Sequence, residues 1–184
     1  MATQPAYRLL TADDFLLIDF GEQRAELDRG IIRMMAGGSR RHSRVAGNIY
    51  RALGNRLEGS ACAAHGPDMA IRTRPDSVRY PDVSVLCGRE TEDHDRDLTD
   101  DQPIVLVEVL SPGTREADLS DKYDEYRTLG SVDTVIFVDI ERERLRVLQR
   151  TGPKRWTYVD HDDPFDIPLP SLAITLPHAE IFAR

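Results

Sequence analysis

Residues 104–110 read Ile-Val-Leu-Val-Glu-Val-Leu. Six of the seven are aliphatic, the pattern of a strand covered on both faces. A carboxylate inside such a run is costly unless a partner, a proton or a metal compensates it, so Glu108 is either a structural cost offset locally or part of a site. Strand alternation puts Ile104, Leu106, Glu108 and Leu110 on one face and Val105, Val107 and Val109 on the other. A second acid has a similar setting: in Tyr80-Pro-Asp-Val-Ser-Val-Leu86, the residues Tyr80, Asp82, Ser84 and Leu86 share one face, and Val83 and Val85 the other. If these two strands are neighbours, one register sets Asp82 and Glu108 side by side. Two carboxylates that close repel unless one is protonated or a cation lies between them. Magnesium accepts a small number of carboxylates and keeps several waters, and it can activate one of them or stabilise charge on a phosphate.

Outward from this strand, Lys122 follows Glu108 by fourteen residues, on a helix predicted over roughly 116–129 and closed by Gly130. Asp118 and Tyr126 lie four residues to either side and share its face. A lysine there can reach back toward the end of the Glu108 strand, although Asp118 and Lys122 also read as an exposed surface pair. Thr134 to Ile140 is a further apolar strand, and strand, helix and strand together predict a crossover with parallel strands. Asp139, at the end of that strand, reads as a cap for the turn before Glu141. Leu145–Gln149 and Arg155–Val159 form a meander, and the proline-punctuated tail from Ile167 suits an edge or wrapped extended segment.

Upstream, Thr11 is placed as a helix cap, Arg24–Leu27 and Ile31–Met35 as a hairpin across Asp28-Arg29-Gly30, and His42–Glu58 as an amphipathic helix stopped at Gly59. Strands are expected at about 69–73, 79–87 and 103–110, with an acidic loop from Gly88 to Gln102. The order predicts an α/β, or mixed α+β, fold: a central mixed sheet flanked by few helices, with additional β-hairpins.

At 184 residues, with 40% hydrophobic and 30% charged content, the chain is expected to be one folded domain over residues 1–184. It has no stretch of membrane-spanning length and no secretion-signal pattern at its start, so a cytoplasmic location is expected. Two cysteines, Cys62 and Cys87, are read as separate buried thiols. The net charge of −8 counts against a protein that coats nucleic acid non-specifically. The charge is uneven, however: six arginines and no acid lie between Ile31 and Leu57. Arg40, Arg41 and Arg44 form either a phosphate-steering face or a solvated helix surface. The histidines show no zinc-site spacing, and no P-loop, dinucleotide fingerprint or nucleophile elbow occurs.

Pro81-Asp82, Val107-Glu108-Val109-Leu110-Ser111-Pro112, Asp118-x3-Lys122-x3-Tyr126 and Val138-Asp139, in this order, resemble the Uma-type restriction endonuclease family within the PD-(D/E)XK nuclease superfamily. Ala25-Glu-Leu-Asp-Arg-Gly30 and the helix-opening His42 fit the same pattern, so the resemblance spans roughly residues 7–182. It implies a restriction-endonuclease-like mixed sheet of four or five strands flanked by helices, and magnesium- or manganese-dependent phosphodiester hydrolysis. It implies Asp82 and Glu108 as metal ligands and Lys122 as the catalytic lysine, with Leu110 standing where the superfamily's usual acid-x-lysine pattern has its lysine. Glu26 and His42 match positions that line the family's site: Glu26 as a further carboxylate near the metal, His42 as a phosphate contact or proton shuttle. The leading expectation is a metal-dependent DNA endonuclease, acting as a homodimer because paired strand cuts need two sites. The alternatives are an inactive nuclease fold serving as a binding module, or a phosphodiesterase of small nucleotides.

Overall fold

The apolar run is an interior strand, as its pattern predicts. The computed structural model describes residues 8–88, 94, 97–111 and 115–184, with residues 115–120 described as helix backbone alone. In chain order its elements are α1 (Ala12–Leu16), β1 (Ala25–Asp28), β2 (Ile31–Met34), α2 (Arg40–Leu57), β3 (Cys62–His65), β4 (Ala70–Arg74), β5 (Ser77–Arg79), β6 (Val83–Cys87) and β7 (Thr99–Asp100). There follow β8 (Val105–Leu110), α3 (Arg115–Tyr126), β9 (Thr134–Asp139), β10 (Arg144–Gly152), β11 (Arg155–His161), β12 (Ile167–Leu169), a 3₁₀ turn (Pro170–Leu172), β13 (Ile174–Leu176) and α4 (His178–Ile181).

The fold is mixed α+β, with mixed sheets flanked by helices. A six-stranded sheet has the order β11-β10-β9-β8-β6-β3, and in it β8 and β9 run parallel on either side of α3. Every residue of β8 and of β9 is buried. Alternation then sorts the core. Val105, Val107 and Val109 face the α2 side with Val45, Ile49 and Leu53, while Leu106 and Leu110 face the α3 side with Tyr126, Leu129 and Phe137. Helix α2 begins two residues earlier than the periodicity indicates, because Ser39 Oγ accepts the His42 backbone N–H at 3.2 Å and caps it. Thr11 caps α1 in a reciprocal pair with Asp14, as predicted.

The architecture departs from the sequence reading in four places. The central sheet has six strands where four or five are expected, and the β1–β2 hairpin belongs to a second, five-stranded sheet of order β2-β1-β5-β4-β7, with its own small core of Phe15, Ala25, Leu27 and Val78. The expected strand over 79–87 is two strands, β5 in the five-stranded sheet and β6 in the six-stranded one. Pro81 between them has no N–H to give a ladder, and the chain changes sheets over Tyr80–Asp82. The tail folds into its own two-stranded pair, β12 with β13. Finally, Cys62 and Cys87 are not separate thiols: they face each other across the β3–β6 ladder and form a disulfide of 2.01 Å. Strand β3, Cys-Ala-Ala-His, has no β-branched residue to announce it, so no register for the pair can be read from local pattern. Of the acidic loop expected over 88–102, residues 99–100 form β7, parallel to β4; residues 89–93, 95 and 96, like 112–114 of the turn after β8, lie outside the described residues.

Candidate active site

The change of sheet at Tyr80–Asp82 creates the site. Strands β6 and β8 pair antiparallel, with Val83 opposite Val107 and Ser84 opposite Leu106. Carried on by one residue, this register sets Asp82 opposite Glu108 on the α3 face, as alternation predicts. Asp82 Oδ2 accepts the Val109 N–H at 2.7 Å and lies 3.4 Å from His42 Nε2, on the first turn of α2.

Glu108 is 5% exposed. The Lys122 ammonium donates to its Oε2 at 2.9 Å, and the Tyr126 hydroxyl to its Oε1 at 2.5 Å. Both donors come from one face of α3, so the four-residue spacing in the sequence is what brings them to the same carboxylate. Lys122 Nζ also lies 3.3 Å from Glu26 Oε1. Glu26, on β1 of the other sheet, accepts the Tyr80 N–H at 3.1 Å as well. Lys122 therefore ties a carboxylate of one sheet to a carboxylate of the other.

Burial pushes the Glu108 carboxyl up, to about 7; the Lys122 ammonium opposes that rise, and the charges of Asp82 and Glu26 add to it. The Asp82 carboxylate raises the His42 imidazole above its ordinary value, against the effect of burial. Burial and the neighbouring Glu108 hold the Tyr126 hydroxyl protonated well beyond the usual phenol range.

The structure brings together Glu26, His42, Asp82, Glu108 and Lys122, the five residues to which the family resemblance gives catalytic or metal-binding roles, at an open cleft of about 1570 Å³. Arg40, Arg41 and Arg44 are not on the lining of that cleft. Arg41 is paired with Glu143 at 2.9 Å, and Arg41 and Arg44 line a separate hollow with Phe182 and Arg184. The side chain of Asp118 lies outside the described residues.

Sequence reasoning missed a group beside the cleft. The Arg79 guanidinium, 5% exposed, donates to Glu26 at 3.2 Å, Asp28 at 3.0 Å and Glu125 at 2.6 Å. Thr73 Oγ1 also donates to Glu125. The available signals were Glu26 and Asp28 two apart on one strand face, and Arg79 among apolar neighbours; the sequence could not show that both strands belong to one sheet.

The donor chemistry fits a hard divalent cation. Glu26, Asp28, Asp82, Glu108 and Glu125 form a largely buried cluster partnered by Arg79, Lys122, Arg33 and His42; within it Asp82 and Glu108 stand side by side, and a metal would relieve their mutual repulsion. Among the described residues, no three His, Cys, Asp or Glu side chains converge on one point. An ion held by Asp82 and Glu108 would keep waters of its own, as magnesium does.

Known proteins resemble this chain in sequence and in fold. A family model described as "Uma2: Putative restriction endonuclease" matches residues 12–177. Two proteins of Synechocystis, the uncharacterised sll1609 and slr1290, are 25% and 24% identical over 151 and 147 residues, covering 81% and 79% of this chain and 85% and 76% of their own. The crystal structure of a "putative nuclease belonging to DUF820" from Anabaena variabilis superposes with a TM-score of 0.78, covering 95% of this chain and 98% of that one. At 19% identity that likeness is one of fold.

Proposed function

The chain belongs to the Uma2 family, whose members are described as putative restriction endonucleases, and from that premise we propose that it is a divalent-metal-dependent endonuclease that hydrolyses phosphodiester bonds of DNA. The observation that carries the reading is Glu108, a buried strand acid placed beside Asp82 and held by Lys122 at the wall of an open cleft. A lysine alone would offset the cost of burying Glu108; a second carboxylate set beside it adds to that cost, and a bound cation would account for the pair.

Asp82 and Glu108 would hold magnesium or manganese. When bound, the ion supplies a more acidic water and charge stabilisation at the phosphate. The chain's own residues do the rest. Tyr126 fixes Glu108 by a hydrogen bond to Oε1 and leaves the other oxygen to Lys122. Lys122 places an ammonium where negative charge develops on the phosphate, a preorganised electrostatic role. Its identity supports this: the chain has two lysines among 24 basic residues, and the other, Lys154, is exposed. A compact ammonium with three rotatable donors suits a reacting centre in a way the planar guanidinium does not. His42, kept basic by Asp82, can hold a proton for the leaving oxygen. Paired cuts in a duplex would require a second copy of the site, hence a homodimer.

The test is conversion of supercoiled plasmid to nicked circles by the purified protein with magnesium or manganese. Nicking should require the metal and disappear in Glu108→Gln and in Lys122→Ala. Folded protein that binds manganese but never nicks would overturn the DNA reading. Hydrolysis of a small phosphodiester under the same conditions would then support a small-nucleotide enzyme, a reading favoured by the acidic cleft lining of Glu22, Asp68 and Asp121.

A further inference from the structure

We propose that Arg79 is a positioning residue of this site, acting through Glu26 and Glu125 to hold the Lys122 ammonium against Glu108. The inference rests on the endonuclease reading for its catalytic consequence, but its structural content stands by itself.

Lys122 and Glu125 lie three residues apart on α3, with Tyr126 next in line. This one turn of helix carries three contacts: Lys122 and Tyr126 to Glu108 in the six-stranded sheet, and Glu125 to Arg79 in the five-stranded sheet. Arg79 grips Glu125 through Nε, 3.1 Å from both carboxylate oxygens, and through Nη2 at 2.6 Å. A planar fork on a carboxylate fixes orientation as well as distance. The same guanidinium reaches Glu26 from Nη1 at 3.2 Å and Asp28 from Nη2 at 3.0 Å. Glu26 then presents its other oxygen to Lys122 at 3.3 Å.

Arg79 thus holds Lys122 from two directions. Through Glu125 it anchors the backbone turn that bears the lysine. Through Glu26 it anchors one of the carboxylates on which the ammonium rests. All of these side chains are buried: 5% exposed for Arg79, 10% for Glu26, 1% for Glu125 and 8% for Lys122. Solvent cannot take over a lost partner, and the carboxylates left behind would compete for the lysine. Arg79 needs no contact with a substrate to act in this way.

The chain's lysine content supplies a readout independent of catalysis. Acylation of the full-length protein with an amine-reactive ester, followed by peptide mass spectrometry, compares buried Lys122 with exposed Lys154 in the same molecule. Arg79→Lys and Glu125→Gln are measured beside the unaltered protein, with a thermal melt to identify folded variants. In a folded variant, Lys122 labelling relative to Lys154 should rise about tenfold or more, and the single-turnover nicking rate at saturating plasmid should fall about tenfold or more, the size expected for a misplaced reacting group. The plasmid concentration for half-saturation should stay within about threefold. Thr73→Val, which removes a neutral donor to Glu125, is the milder substitution if the charged changes unfold the chain, and should show the same pattern more weakly. A folded variant whose Lys122 stays protected and whose rate is within about twofold of the parent would overturn the proposal. So would a loss confined to plasmid affinity. If the unaltered protein does not nick DNA, the endonuclease reading fails, and the labelling result still decides the role of Arg79.

Discussion

In the proposed reading Glu108 ligates a cation only once it has lost its proton, and burial moves that loss up to about 7. Metal-dependent nicking is therefore expected to rise as pH climbs through neutrality, read as a pH–rate profile at fixed manganese. The stability of the metal-free protein should run the other way. The folded state binds a proton on Glu108 more tightly than the unfolded chain does, so this residue's contribution is full below about 4.5 and declines as pH rises to about 7. His42, also raised, acts in the same direction: its contribution is full below 6.5 and is lost as pH passes its folded value. Denaturant melts of Glu108→Gln should show a flatter decline from pH 5 to 8 than the parent. At this scale the site was largely legible. An acid inside an aliphatic run, a second acid between valines and a lysine at helical spacing from a tyrosine are local patterns, and each states its own cost or its own face. Arg79 was not legible, because its meaning lies in the acids opposite it, and nothing local says which strand those acids occupy.

Between residue and molecule, the segment leading into α2 has a specific steric demand. A Cβ on Gly38 would stand 2.7 Å from the His42 Nδ1, so Gly38→Ala should swing the imidazole away from Asp82. The expected result is a loss of nicking with little change in melting temperature, checked by running both on one preparation. Removing the α2 cap, Ser39→Ala, is a change of the opposite kind: it should cost about 1 kcal/mol in denaturant melts. The helices and most strands were readable because their periods are strong. The errors fell where a short segment carries no period. Tyr80-Pro-Asp82 looks like strand interior until its proline is taken as a missing donor, and β3 is too small and too poor in branched residues to be seen. Missing β3 hid the pairing of Cys62 with Cys87.

For the whole molecule, that disulfide closes a sequence separation of 25 residues between an edge strand and its neighbour. By the loop-entropy argument it should stabilise the chain by about 3 kcal/mol, and the Cys62→Ala, Cys87→Ala double variant should melt correspondingly earlier in denaturant. The two-sheet arrangement was the feature least visible in the sequence, since it depends on where the chain leaves one sheet for the other. It also bears on the order of events as the protein forms. Glu26 precedes that crossing, whereas Glu108 and Lys122 follow it, so the ammonium closes a contact between residues 26 and 122. Contacts of such long sequence separation are made late and slowly. Catalytic power should return on dilution from denaturant with the last kinetic phase, after backbone circular dichroism has recovered, and a nascent chain released before α3 should hold Glu26 with no lysine to meet it.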